Sequence, residues 1–177
     1  YGGYKEVRQP IFECDLTQLM KSDNMIFAGK RYLELMESRK VELLDTEMVL
    51  GDPELGYTGQ PDKVWLTLNK TGDEFGLLIT DWKTNKPKNF QETNYTERMY
   101  KPFEKYPNTA LGHYYLQLPL YGRLILKMLQ GTKFNNTKLM GGVIVLLKEN
   151  GTFEEFRIPQ EINNTILTMD LTKYLKR

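Results

Sequence analysis

The chain holds one cysteine, Cys14, and one histidine, His113, among 177 residues. A single thiol excludes an internal disulfide, and it equally excludes a four-cysteine iron–sulfur cluster within the chain, so a reducing compartment is expected. No apolar run approaches the length of a membrane-spanning helix, and the opening YGGYKEVRQPIF has no apolar core resembling a signal peptide. The expectation is a soluble, intracellular protein, not secreted and without a membrane partner, whether in cytoplasm, nucleus or organelle. Five Asn-x-Thr triplets, starting at Asn69, Asn94, Asn135, Asn150 and Asn163, then read as ordinary polar sequence rather than glycosylation acceptors. Net charge is scarce as well. The balance of 24 basic against 23 acidic residues leaves +1, which argues neither for nor against nucleic acid, because a basic groove and an acidic cluster coexist readily in a near-neutral whole.

What is present suffices for one domain over residues 1–177, with 40% apolar residues to close a core. From Asn24 to Lys40, Ile26, Phe27, Tyr32, Leu33, Leu35 and Met36 recur at three- and four-residue spacings and predict an amphipathic helix. Three strands follow, at 41–52, 57–69 and 75–84, separated by the turn-like GDPELG and KTGDE, and together they read as a meander. The apolar run of the third predicts burial on both faces. Residues 85–107 have no clear period, and a connection that long is usually functional or mobile. A buried helix is expected from a cap at Asn108 to Gly131, kinked at Pro119. MGGVIVLLKENGTFEEFRI reads as a hairpin turning at Asn150-Gly151, and Pro159 to Arg177 as a closing helix. The fold class is α/β or α+β, a mixed central sheet flanked by helices.

The chemistry gathers around LLITDWKTNKP. Asp81 and Lys83 share one face of a strand, since side chains alternate with period two, and no other acid in the chain has a lysine two positions on. The pair is a surface ion pair or half of a metal site. Upstream, GQPDKV places Asp62 at the start of the neighbouring strand, where register permitting it converges with Asp81. Two carboxylates suit Mg²⁺, a hard cation that completes its shell with water and phosphate. Lys83 then orients or helps deprotonate a water aimed at a phosphodiester, while the metal offsets the developing charge. The structural alternative leaves Lys83 simply paired with Asp81.

The ordered trio GQPD (Gly59 to Asp62), LLITDWK (Asp81 to Lys83) and QLPLY (Gln117 to Tyr121) resembles the RecB-like branch of the PD-(D/E)xK nucleases. The resemblance covers about residues 25–150. It implies a restriction-endonuclease-like core and a Mg²⁺- or Mn²⁺-dependent deoxyribonuclease, with Asp62 and Asp81 as metal ligands, the Trp82 carbonyl as a third, and Lys83 catalytic. Gln117 and Tyr121 would steady the lysine or the DNA backbone. A second Gln-x-x-x-Tyr, Gln91 to Tyr95, lies in the irregular segment and is set aside. Glu47 resembles an acid that many relatives carry before the Asp62 position, and it reads equally as a surface residue. Two departures stand out. The metal-binding His that many relatives carry on an upstream helix has no counterpart, since His113 lies downstream and reads better as a packing or capping residue, and the four cysteines that hold an iron–sulfur cluster in some relatives are missing. The ragged start and the absent histidine are compatible with a piece of a longer protein.

Residues 85–107 interleave Lys86, Lys88, Arg98, Lys101 and Lys105 with Phe90, Tyr95, Tyr100, Phe103 and Tyr106. Cations track phosphates while rings stack on unpaired bases, so this segment reads as an inserted DNA-guiding lid. The alternative is an ordinary excursion whose rings pack on the domain. The expected function is a nuclease hydrolysing DNA from a single-stranded end, by one in-line attack of water with no covalent enzyme intermediate. Recombination, repair or replication would employ it, with helicase or recombination proteins as partners. The competing reading is a non-cleaving, nuclease-like DNA-binding module in a helicase, recombination or packaging assembly.

Overall fold

The computed structural model describes residues 16–68, 71–72, 74–84, 90 and 97–174, and for residues 16–19 the backbone alone. Its strands are β1 (Glu42–Thr46), β2 (Leu50–Asp52), β3 (Tyr57–Gly59), β4 (Lys63–Leu68), β5 (Phe75–Lys83), β6 (Lys138–Leu147) and β7 (Phe153–Arg157). Its helices are α1 (Leu16–Ser38), α2 (Ala110–Leu129) and α3 (Gln160–Thr168). The main sheet runs in the order β1, β4, β5, β6, β7; β5 and β6 pair in parallel and the other neighbours antiparallel, and α2 lies in the crossover from β5 to β6. The fold is a mixed α+β sandwich, as expected. No helix among the described residues is long and apolar enough to cross a membrane.

Alternation along β5 builds the two cores. Leu77 and Ile79 face α2 and α3 with Leu118, Ile125, Ile144 and Ile162, while Leu78 and Trp82 face α1 with Tyr32, Met36 and Val145. A strand covered on both faces needs apolar residues at nearly every position, which is what its sequence has. Helix α2 lies close on the sheet because Gly122 has no side chain: a Cβ there would come within 2.7 Å of Leu139. Between the α1 core and the sheet, Thr80 is fully buried; its hydroxyl accepts from the Trp65 indole at 2.9 Å and pairs with the Tyr32 phenol at 3.2 Å. Burial pushes that phenol up to about 12, so it stays protonated.

Several expected boundaries shift, each for a local reason. Helix α1 starts at Leu16 rather than Asn24, and Ile26 and Phe27 are exposed; the core stripe is Ala28, Tyr32 and Met36, at four-residue steps. The strand expected over 41–52 breaks at Glu47, whose φ of 53° is left-handed, and the strand expected over 57–69 breaks at Pro61, which has no N–H for a ladder. The released pieces, β2 and β3, pair as a separate hairpin, so the meander is interrupted. Thr109, not Asn108, caps α2 by accepting from the Gly112 amide at 3.0 Å, and the helix continues through Pro119 to Leu129. The β6–β7 turn forms at Asn150-Gly151 as expected, with Gly151 at φ 79°. The closing helix stops at Thr168, where the Arg123 guanidinium donates to the carbonyls of Ile166 and Met169, and a 3₁₀ turn (Leu171–Lys173) follows.

Thr80→Val keeps the shape of that side chain but strands a buried indole N–H and a buried phenol. Urea unfolding is expected to show a loss of about 2 kcal/mol; an unchanged midpoint would mean the hydroxyl carries no structural weight.

Candidate active site

The β4–β5 ladder ends with Lys63 opposite Thr80, so the next positions outward, Asp62 and Asp81, face each other with no strand pairing between them. Outward of Lys63 the backbones of β4 and β5 no longer pair. The Asp62 side chain bridges them instead: its Oδ2 accepts from the Trp82 amide at 2.6 Å. Within one strand residue the N–H and C=O point to the same edge. The Trp82 carbonyl therefore lies on the edge that Asp62 occupies.

Asp81 and Lys83, two residues apart on the α2 face of β5, form an ion pair, with 5% and 20% of their side chains exposed. The Asp81 oxygen that meets the Lys83 ammonium, Oδ2, is itself buried. Burial pushes the Asp81 carboxyl above its ordinary range; Lys83 pulls it back, but Asp62 and Glu47 add to the rise. Burial also pulls the Lys83 ammonium down, and Asp81 with Tyr114 and Asp62 more than reverses this, so it ends raised. The result is a cationic lysine beside an acid that is reluctant to ionise.

Helix α2 closes one side. The Lys83 ammonium sits 4.4 Å from the centre of the Tyr114 ring. Three residues on, the Gln117 amide donates to the Tyr121 hydroxyl, and the Tyr121 ring rests directly on the Cα of Gly59, where any Cβ would overlap it. Tyr114, Gln117 and Tyr121 follow i, i+3, i+7 spacing and so share one helix face. Gly59 is thus fixed by contact rather than by backbone torsion. On the opposite face of the sheet, the Lys63 ammonium lies 4.6 Å over the Trp82 ring.

The structure brings Asp62, Asp81, Trp82 and Lys83 together; Gln117 and Tyr121 bond each other, and Tyr121 reaches Gly59, three residues before Asp62. It leaves Glu47 at the rim: exposed, in the break after β1, accepting from the Gln60 amide at 3.1 Å. Among the described residues no three acidic, histidine or cysteine side chains converge as a metal cluster. Two carboxylates, one of them buried, and a carbonyl on the same edge still make a hard-oxygen donor set of the kind that Mg²⁺ or Mn²⁺ takes, since these ions commonly draw only one or two carboxylates from protein. His113 is exposed and its Nε2 is bonded to Asn108 Oδ1 at 2.6 Å, a local contact near the helix start.

The cationic segment is only partly free. Lys86, Lys88, Gln91 and Tyr95 lie outside the described residues. The Arg98 guanidinium donates to the Lys105 carbonyl at 3.0 Å, and Lys105 and Tyr106 both bind the Glu161 carboxylate. Phe90 and Phe103 are core residues. Tyr100, 93% exposed, and Lys101 face solvent. Sequence reasoning missed Tyr114, for which the available signal was its place one turn before Gln117. Compared with protein-family models and with curated protein sequences, the chain matches none.

Because Asp81 holds its proton more tightly in the native state, its contribution to stability is fully present below the ordinary pKa of about 4 and is lost as pH rises through the higher native value. Urea unfolding across pH should therefore show wild-type stability falling relative to Asp81→Asn as pH climbs above about 4. A wild type that gains on the variant over that window would contradict the assignment.

Proposed function

We propose that the chain is a Mg²⁺- or Mn²⁺-dependent DNA nuclease of the RecB-like type on a restriction-endonuclease-like core, acting as an exonuclease on a single-stranded end in recombination, repair or replication. The observation that carries this reading is the meeting of Asp62 and Asp81 where β5 loses its β4 neighbour, with Lys83 held beside them. Asp62, Asp81 and the Trp82 carbonyl would hold the ion, which when bound supplies positive charge against the phosphodiester and lowers the pKa of water. Lys83 orients the attacking water or stabilises charge developing on the phosphate. Gln117 and Tyr121 steady the wall of the site against Gly59. Of the expected DNA-contacting residues of the 85–107 segment, Tyr100 and Lys101 are exposed and would be the ones to meet a strand.

The Lys83–Asp81 ion pair favours a second reading, in which the lysine neutralises the acid and the domain binds DNA without cutting, inside a helicase, recombination or packaging assembly.

End-labelled single- and double-stranded DNA, incubated with Mg²⁺, Mn²⁺ or EDTA, separates the two. Metal-dependent cleavage from a single-stranded end is expected, reduced about a hundredfold or more in Asp81→Ala and in Lys83→Ala. Lys83→Ala leaves Asp81 buried alone, so circular dichroism must accompany it. Binding without cleavage would favour the second reading, and neither binding nor cleavage would overturn both.

A further inference from the structure

We propose that Tyr114 is a positioning residue for Lys83, an inference that rests on the nuclease reading: its ring holds the ammonium beside the Asp62–Asp81 pair, and Phe90 braces the ring. Lysine ends in a compact point charge on a flexible four-carbon stem, with about 2 kcal/mol of rotamer entropy to lose when held. Lys83 is the last residue of β5, paired with Leu146 of β6 on one side, while β4 has ended before it on the other. The Asp81 carboxylate alone would tie the ammonium down along one direction. The Tyr114 ring, at 4.4 Å, lies well inside the range at which an aromatic face attracts a cation, and it confines the ammonium from a second direction.

The ring is itself fixed. It stacks on Phe90 with centroids 5.9 Å apart and planes inclined by 29°, and Phe90, fully buried, packs in turn on Phe156 at 5.1 Å. Phe90 belongs to the segment that follows the motif strand, so the chain leaves β5, returns one aromatic side chain to the core and there supports the lysine it has just passed. A neutral ring also has an advantage over a second carboxylate. It confines the cation without neutralising it, leaving the charge available to phosphate or water. Tyr114 shares the helix face of Gln117 and Tyr121, so one rigid element sets the lysine and the Gly59 contact together.

Tyr114→Phe and Tyr114→Leu test this by two readouts. Misplacing a reacting group by a fraction of its length costs up to about a hundredfold, so the Leu variant is expected to lose about tenfold to a hundredfold in kcat with KM for DNA little changed, and Phe, which keeps the ring face, to restore most of it. By NMR, the Lys83 ε-methylene protons should be shifted upfield by the ring in wild type and in the Phe variant and should lose that shift in the Leu variant. A folded Leu variant that cleaves like wild type, or a Phe variant that falls as far as Leu, would overturn the proposal. So would a wild-type Lys83 without the upfield shift. If wild type cuts no DNA, the nuclease reading fails by itself, and the NMR comparison alone decides whether the ring holds the lysine.

Discussion

The carboxylate of Asp81 is buried at the end of a central strand, and the rest of the site answers that burial. A carboxylate taken out of water favours its protonated form unless cations or donors compensate, and here one lysine compensates while two further acids oppose it. Buried ion pairs of this kind rarely add net stability, because desolvation cancels most of the attraction. The domain's stability therefore rests on the two apolar cores either side of β5 and β6, and the site is tolerated by them. Such an arrangement is useful if a divalent cation completes it.

The local geometry follows from where β4 begins. Pro61 cannot join a ladder, so the strand starts at Lys63, and the Trp82 amide would face an empty edge without Asp62. The same residue that satisfies the strand end thereby carries a carboxylate to Asp81. Three residues upstream, Gly59 lets the Tyr121 ring sit against the backbone, which ties the β3 end to α2. Strand ending, acid pair and helix face are thus mechanically connected, and a change in one is felt in the others.

Much of this was legible because it is local. The alternation of β5, the Asn150-Gly151 turn and the two-residue step from Asp81 to Lys83 are properties of neighbours in the chain, and register carried Asp62 opposite Asp81. What escaped depends on distant partners. The positive φ of Glu47 that splits the first strand has no compositional mark. Tyr114 gains its meaning only from Lys83 and Phe90 across the fold. Likewise the basic-aromatic pattern of residues 85–107 does not say which rings are buried: Phe90 and Phe103 support the core, and Arg98 and Lys105 are bonded within the domain.

If Asp62 and Asp81 together present oxygen ligands at the edge of β5, Mn²⁺ should bind there. Titrating the ¹⁵N-labelled protein with Mn²⁺ at sub-stoichiometric levels tests it without any assumption about substrate. Paramagnetic broadening centred on the amides of Asp62, Asp81 and Trp82, and lost in Asp81→Asn, is expected. Broadening centred elsewhere, or spread evenly over exposed acids, would contradict the assignment.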